Sequence, residues 1–388
     1  MYKNSIFLTS DSGGFLKIAF IIPTSLMEWG GVENYIYEIA NLLSRNHHVL
    51  VFSNGIITNR RITELPPHSF YYKELPTFSL NFIKPSLTIP RLPKWINVYE
   101  FAYVYHVGVL YSYLALRYLR IPKVIGIHSD ILTNSGLLQY PKKVSEGAFK
   151  IIFKYATGIC CRTDHYARLL QDNLGINSEK IFVIHECVNT NIFAPCQEKK
   201  HFTIVFAGRL TKDKGIEIIL DLVNRLEKCD VNWLFLGRGE KRYEVMLEKV
   251  SKKKPNVIWK RFVPTNELAE ELAKASLTIV PSRGGEGYSN IALQSLACGT
   301  PVILSRIPVF SELAAKLPNG VCSLFQLDNP RELLDKILTW KILIETNEGY
   351  YREICAQARS YIEKYFSPHL IRRRFEFMID RVISHYKS

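Results

Sequence analysis

Two stretches of the chain, KIAFIIP at residues 17–23 and FTIVFAG at 202–208, are unbroken apolar runs. A strand with one wet face alternates apolar and polar residues, so such runs predict strands buried on both faces, as in a parallel sheet covered by helices. Each run leads into a glycine-bearing turn, TSLMEWGGVEN after the first and RLTKDKG after the second. Val32, Tyr35, Ile36, Ile39, Leu42 and Leu43 then recur at helical spacing within residues 32–45, and residues 216–226 predict a second helix. The strands HVLVFS and NWLFLG follow. Strand, glycine turn, helix, strand is a βαβ unit, and each half of the chain starts with one.

The alternation continues from both starting points. In the first half it predicts a strand near Ile96–Tyr99, a helix around Val109–Leu119, the strand KVIGIH, a helix over Val144–Tyr155, the strand GICC, a helix over Asp164–Leu174 and the strand KIFVIHECV. In the second it predicts a helix over Tyr243–Val250, the strand NVIWKRFV, a helix over Asn266–Ala275, the strand SLTIVPS, a helix over Asn290–Cys298, the strand PVILS and mostly helix from 330 to 388. At 388 residues the chain is long for one core, since domains of about 100–200 residues are usual. The expected fold is α/β, with Rossmann-like domains over residues 1–195 and 196–366 whose parallel sheets face a central cleft. Residues 367–388 are expected to form the last helix. Ligands of such sheets sit at the carboxyl ends of the strands.

The net charge of +14 points to an anionic partner. It is spread evenly, with 19 Lys and Arg against 13 Asp and Glu in residues 1–195 and 31 against 23 in the rest. Without zinc-finger spacing, a homeodomain-like helix or a basic tail, a nucleic-acid partner is not expected. Phosphorylated small molecules or an anionic membrane surface fit better. The eight cysteines form no CxxC pair and read as reduced thiols in a reducing compartment. Residues 1–17 lack the long apolar core of a signal peptide and read as a loose extension. The longest uncharged stretch after them, Phe101–Leu116, falls short of the roughly 20 apolar residues of a spanning helix and reads as a buried or amphipathic one. The expectation is a cytoplasmic protein able to sit peripherally at the inner face of the cell membrane.

Three loops at predicted strand ends carry the chemistry. In GRLTKDKG, Arg209 and Lys214 project from the loop between a strand and a helix, where two cations suit a diphosphate; an exposed basic loop is the plainer reading. Gly30 and Gly31 also lie between a strand end and a helix N-terminus, where glycine lets the backbone approach an anion; a tight turn explains them equally. In PSRGGEGYSNIALQSLACGTPVI, Glu286 stands just before a helix, either as its cap or as an acceptor for ligand hydroxyls. Gln294 follows on that helix. No DxD occurs in the chain, so no metal-held diphosphate is expected.

Taken in order, these pieces resemble family 4 of the retaining GT-B glycosyltransferases. That family's signature is Glu, seven residues, Glu; here Glu286 is followed by Gln294 and then SLACGTPVI. GRLTKDKG resembles its phosphate-binding loop, FLGRGE its base-side loop, GGVEN its N-terminal glycine turn and KIFVIHECVNTNIFAP its inter-domain crossover. The likeness spans most of residues 17–366 and implies that the C-terminal helix, 367–388, packs back on the first domain. It implies a nucleoside diphosphate sugar as donor, no cofactor, no metal, and transfer with retention to a glycan or lipid-linked saccharide in cell-surface polysaccharide synthesis. By position, Arg209 and Lys214 would neutralise the leaving diphosphate, Glu286 would hold sugar hydroxyls and His128 would be the cleft histidine. Donor contacts would come from Gly30 and Gly31, from Gly237 and Gly239, and from Gly287, Tyr288, Ser289, Asn290 and Gln294.

Two other readings stay open at the level of sequence. One is a non-catalytic GT-B scaffold or glycan-binding subunit, which the glutamine at 294 keeps alive. The other is a GT-B nucleotide-sugar epimerase. On the acceptor side, residues 70–118 are dense in aromatics with Arg91, Lys94, Arg117 and Arg120 among them, suiting either a phosphate-bearing lipid acceptor or a Tyr-rich core with surface cations.

Overall fold

The computed structural model describes residues 14–28, 31–56, 65, 67–75, 89–106, 108–128, 142–196, 199, 201–226 and 230–388. Gly30, Cys229, residues 1–13 and much of the segment between 57 and 88 lie outside the described residues.

The strands form two sheets. The first contains β1 (Lys17–Thr24), β2 (His48–Ile56), β3 (Tyr71–Glu74), β4 (Phe101–Tyr105), β5 (Lys123–Ile127), β6 (Gly158–Cys161) and β7 (Ile181–Val183), in the order β3-β2-β1-β4-β5-β6-β7. The second contains β8 (Thr203–Ala207), β9 (Asn232–Leu236), β10 (Val257–Lys260), β11 (Leu277–Val280), β12 (Val302–Ser305) and β13 (Cys322–Phe325), in the order β10-β9-β8-β11-β12-β13. β1 pairs in parallel with β2 and β4, and β8 with β9 and β11. The two apolar runs that open the sequence are thus the central strands, and Ile18 to Ile21 are fully buried. This is the doubly wound, Rossmann-like arrangement expected for both halves.

Helices connect the strands: α1 (Gly31–Leu43), α2 (Val109–Tyr118), α3 (Lys142–Tyr155), α4 (Asp164–Leu174), α5 (Ile216–Arg225), α6 (Lys241–Lys253), α7 (Thr265–Lys274), α8 (Asn290–Ala297) and α9 (Pro308–Lys316). Three more, α10 (Pro330–Thr346), α11 (Glu348–Phe366) and α12 (Pro368–Lys387), close the chain. By its contacts the chain forms two compact units, Met1–Gly126 with Lys150–Ile159 and Arg372–Ser388, and Ile127–Phe149 with Cys160–Ile371. Within the first, Tyr103 meets Phe375 with ring centroids 5.9 Å apart and Tyr386 Oη donates to the Arg120 carbonyl at 2.9 Å.

Some expectations are corrected. Ile96–Tyr99 is not a strand: Lys94–Val98 form a short 3₁₀ turn after Pro93, and the strand is Phe101–Tyr105. Consequently the uncharged stretch from Phe101 is strand and then helix, not one helix. The strand expected over KIFVIHECV is only Ile181–Val183. The described cysteines Cys160, Cys161, Cys187, Cys196, Cys298, Cys322 and Cys355 are all unbridged. Among the described residues no helix is long and apolar enough to cross a membrane.

Candidate functional site

Strand order reverses at β8, which has β9 on one side and β11 on the other. A crevice opens where the connections from neighbouring strands leave toward opposite faces, so the loops after β8 and β11 are where this sheet can hold a ligand. Those loops carry Arg209, Lys214 and Glu286.

The loop after β8 is fixed by close backbone contacts. Gly208 and Gly237 have φ of 148° and 132°, and a Cβ on Gly237 would stand 2.1 Å from the Gly208 carbonyl oxygen. Leu210 N donates to Arg238 O at 2.8 Å, Glu240 N to Leu210 O at 2.9 Å, and a Cβ on Gly239 would meet that same Leu210 oxygen at 2.1 Å. Gly237 and Gly239 therefore let two loops zip together, a packing reason for glycine at both places. Gly215, at φ 72°, starts α5 with its Cα so close to β11 that a Cβ would lie 2.1 Å from Pro281 O.

This packing brings Lys214 to Glu286, 72 residues away, as an ion pair between Nζ and Oε1. Ser282 Oγ donates to the same Oε1 at 2.6 Å, and Tyr166 Oη donates to the Glu286 carbonyl. Both carboxylate bonds end on Oε1. Glu286 is 9% exposed, so its charge is held near the bottom of the loop cluster. Arg209, by contrast, pairs with Asp213 at 3.1 Å with both side chains about half exposed. An exposed pair of this kind is worth about 0–1 kcal/mol, which leaves Arg209 easily recruited by an anion.

Glu286 does not cap α8. Ser289 occupies the cap position at φ 60°, ψ 114°, with no side-chain hydrogen bond to the helix, and Asn290 begins the first turn. A non-glycine residue in that region costs on the order of 1–3 kcal/mol, a strain that clusters at ligand-binding turns. Tyr288 is fully buried: its hydroxyl donates to Glu312 and accepts from Lys316 Nζ at 2.7 Å, so its side chain is committed to the α8–α9 packing and only its backbone can meet a ligand. Burial and the Glu312 charge hold the Tyr288 phenol far above its ordinary range. Gln294 Oε1 is buried without a hydrogen-bond partner, as is Thr211 Oγ1 in the loop after β8. Two orphaned acceptors among the described residues of this rim fit a ligand rich in hydroxyl donors.

A third group of residues reaches the same place from the first sheet. His128 follows β5, Arg162 follows β6 and Glu186 follows β7 by three residues. Arg162 Nη1 lies 2.9 Å from His128 Nδ1, and Arg162 Nη2 lies 2.9 Å from Glu186 Oε1. Glu186 packs on Gly287, where a Cβ would stand 2.3 Å from its Oε1. Contacts thus link Lys214, Glu286, Gly287 and His128, adding Ser282, Arg162 and Glu186; Arg209 and Thr211 stand in the loop that carries Lys214, and Gln294 lies on α8 with its Oε1 unpartnered. Of the added residues, Ser282 and Thr211 had a local signal, lying inside the two loops singled out in the sequence; Arg162 and Glu186 read in the sequence as unremarked charges. Gly31 belongs to the other unit, is exposed, and has nothing within 4 Å of where a Cβ would be.

Among the described strand-end residues of that other unit, side-chain bonds join hydroxyls, an amide and carboxylates. Ser25 Oγ donates to Glu74 at 2.7 Å, Tyr72 Oη to Glu74 at 2.6 Å, Thr24 Oγ1 to Glu33 at 2.7 Å and Tyr111 Oη to Asn54 Oδ1 at 2.6 Å. Burial and Glu74 push the Tyr72 phenol up to about 12. Beside them lies an open cavity of about 470 Å³ walled by Leu75, Ile89, Leu92, Leu114, Tyr118 and Arg91.

Two Rossmann-like sheets with a strand-end cluster of this kind form the GT-B fold of glycosyltransferases. HepE from Anabaena, solved in complex with UDP and glucose, superposes at a TM-score of 0.73 over 94% of this chain and 99% of that one, at 17% identity. Family models match in sequence along most of the chain: Glycosyltransferase Family 4 over residues 29–192 and Glycosyl transferases group 1 over 201–340. The chain belongs to the family 4 glycosyltransferases. Among curated relatives, the uncharacterized glycosyltransferase MJ1178 of Methanocaldococcus jannaschii is 28% identical over 57% of this chain and 58% of its own length. The O-antigen biosynthesis glycosyltransferase WclY of Escherichia coli is 31% identical over 37% of this chain and 40% of its own. These matches therefore span about half the length of those relatives.

Proposed function

We propose that the protein transfers a glycosyl group from a nucleoside diphosphate sugar to a glycan or lipid-linked saccharide, with retention and without a metal ion. The work is placed in cell-surface polysaccharide synthesis, in the cytoplasm and peripheral to the inner membrane face. The observation that carries this reading is the meeting of Lys214 with Glu286 at the strand-order reversal of the second sheet. A diphosphate needs cations and a sugar needs a strong acceptor, and the two loops supply both within one contact. HepE's complex with UDP and glucose and WclY's part in O-antigen biosynthesis support the donor class and the pathway.

In this reading residues 196–366 hold the donor, 1–195 the acceptor, and 367–388 form the returning helix. Lys214 and Arg209 stabilise the negative charge that grows on the diphosphate oxygen as its bond to the anomeric carbon breaks, the effect that preorganised cations deliver best in a site shielded from water. Glu286 accepts from sugar hydroxyls. Gln294 offers the ribose one acceptor and an NH₂ donor where a carboxylate would accept twice, which weakens ribose binding without abolishing it. The acceptor meets the hydroxyl and carboxylate network of Ser25, Tyr72 and Glu74, and the apolar cavity beside Tyr118 suits a lipid tail.

The experiment is donor turnover with a panel of nucleotide sugars, with and without glycan acceptors, for the wild type and for Arg209→Ala and Lys214→Ala. Transfer that drops about ten- to a hundredfold in each variant supports the reading. Turnover unaffected by either substitution, isomerisation of the sugar without any acceptor, or folded protein that binds no nucleotide overturns it.

A further inference from the structure

We infer that Arg162, aligned by Glu186, is a positioning residue that fixes His128 in the neutral form carrying its proton on Nε2. His128 is thereby set as a hydrogen-bond donor to the sugar, a role that rests on the function proposed above. The tautomer itself rests on geometry alone.

A guanidinium has five N–H donors and no acceptor. With Arg162 Nη1 2.9 Å from His128 Nδ1, that ring nitrogen must present its lone pair. The ring proton is then on Nε2, and the imidazole cannot act as a base through Nδ1. Arg162 needs a counter-charge to be held there, because its side chain is only 6% exposed, and Glu186, at 5%, supplies it through Nη2 at 2.9 Å. The backbone of Arg162 is anchored as well: its carbonyl accepts from His185 Nδ1 at 2.8 Å, and the next residue, Thr163, caps α4 by accepting from Tyr166 N at 3.2 Å.

Glu186 does more than neutralise. Its Oε1 occupies the space that a side chain on Gly287 would need, directly after Glu286 in the chain. The ring of His185 lies against Tyr288, with centroids 5.0 Å apart. One buried ion pair therefore registers His128 on the first sheet's rim against the loop that carries Glu286. Both groups assigned to the sugar share that reference, so loosening it misplaces both together, and misplacement by about 1 Å is enough to cost on the order of a hundredfold in rate.

The test is nitrogen NMR of ¹⁵N-histidine-labelled, ligand-free protein near neutral pH, with His128→Asn used to identify the His128 signals among the ten histidines. The expected result is a single neutral tautomer protonated at Nε2. In Glu186→Gln, where the amide oxygen can still accept from Arg162, the tautomer should persist. In the double variant Arg162→Met/Glu186→Met, which removes both buried charges together, it should give way to a mixture, and kcat should fall about tenfold or more with a smaller change in donor KM. A wild-type ring protonated at Nδ1, or a tautomer unchanged in the double variant, overturns the assignment. Because the spectra need no substrate, a correct tautomer in a protein that turns over no donor would reject the proposed function and leave this inference standing.

Discussion

The turn after β1 and the turn after β8 hold the same place in two sheets, and each delivers a glycine to the first residue or cap of a helix. Their reasons for glycine differ. Gly215 is left-handed at φ 72° and pressed against Pro281 O, so it is fixed by packing. Gly31 begins α1 in open space, with nothing within 4 Å of a would-be Cβ, so packing does not demand it. Glycine at a strand–helix turn is thus two different statements: one about how loops fit each other, the other about what is allowed to come near. The charges divide the same way. The loops after β8 and β11 hold Arg209, Lys214 and Glu286, whereas the described strand-end residues of the first unit form a network of hydroxyls, amide and carboxylate.

Substitution at the two glycines exposes the contrast most strongly. Gly215→Ala should lower stability by about 3 kcal/mol, seen as a large fall in Tm, because strain at positive φ adds to the clash with Pro281 O. Lys214→Ala should reduce kcat by about a hundredfold while Ser25→Ala leaves nucleotide affinity unchanged; calorimetry showing equal nucleotide losses in both would erase the distinction between the two rims. At the first rim, burial holds His106, whose Nδ1 is 2.7 Å from Ser112 Oγ, down to about 4. The unfolded chain then binds the extra proton first, so stability is full above pH about 6.5 and declines toward pH about 4, by about 3 kcal/mol. His106→Asn should flatten that slope in denaturant titrations across the window. Gln294→Glu should tighten nucleotide binding by less than about tenfold, and no change in Kd would place the side chain away from the ribose. Gly31→Ala should alter stability least, within about 0.5 kcal/mol, yet still lower donor turnover if the backbone there is kept open for the diphosphate.

Legibility in the sequence followed burial. KIAFIIP and FTIVFAG declared themselves because strands covered on both faces are apolar throughout. β3, YYKE, gave no such signal: as the edge strand it alternates between exposed and half-buried positions. Ile96 is fully buried yet lies in a 3₁₀ turn, so the apolar stretch around it pointed to a strand five residues too early. At the site, Arg209, Lys214 and Glu286 could be placed because each sits in a loop flanked by recognisable strands and helices. Their pairing could not, since Lys214 and Glu286 meet only through the fit of Gly215 against Pro281. Arg162 and Glu186 are 24 residues apart on different strand ends, and isolated charges ordinarily signify solvent.

The contact between Lys214 and Glu286 also bears on selectivity. An inorganic anion that captures Lys214 strands Glu286 beside Ser282 with its counter-charge gone, and a neutral sugar that captures Glu286 strands the lysine. In the proposed function, a molecule carrying both an anionic and a hydroxylated end satisfies both partners in one event, so the pair would behave as a lock with two keys that must turn together. Competition titrations should show pyrophosphate and free hexose as poor inhibitors singly; inhibition by pyrophosphate as strong as that by the intact nucleotide sugar would mean that the lock opens to one key.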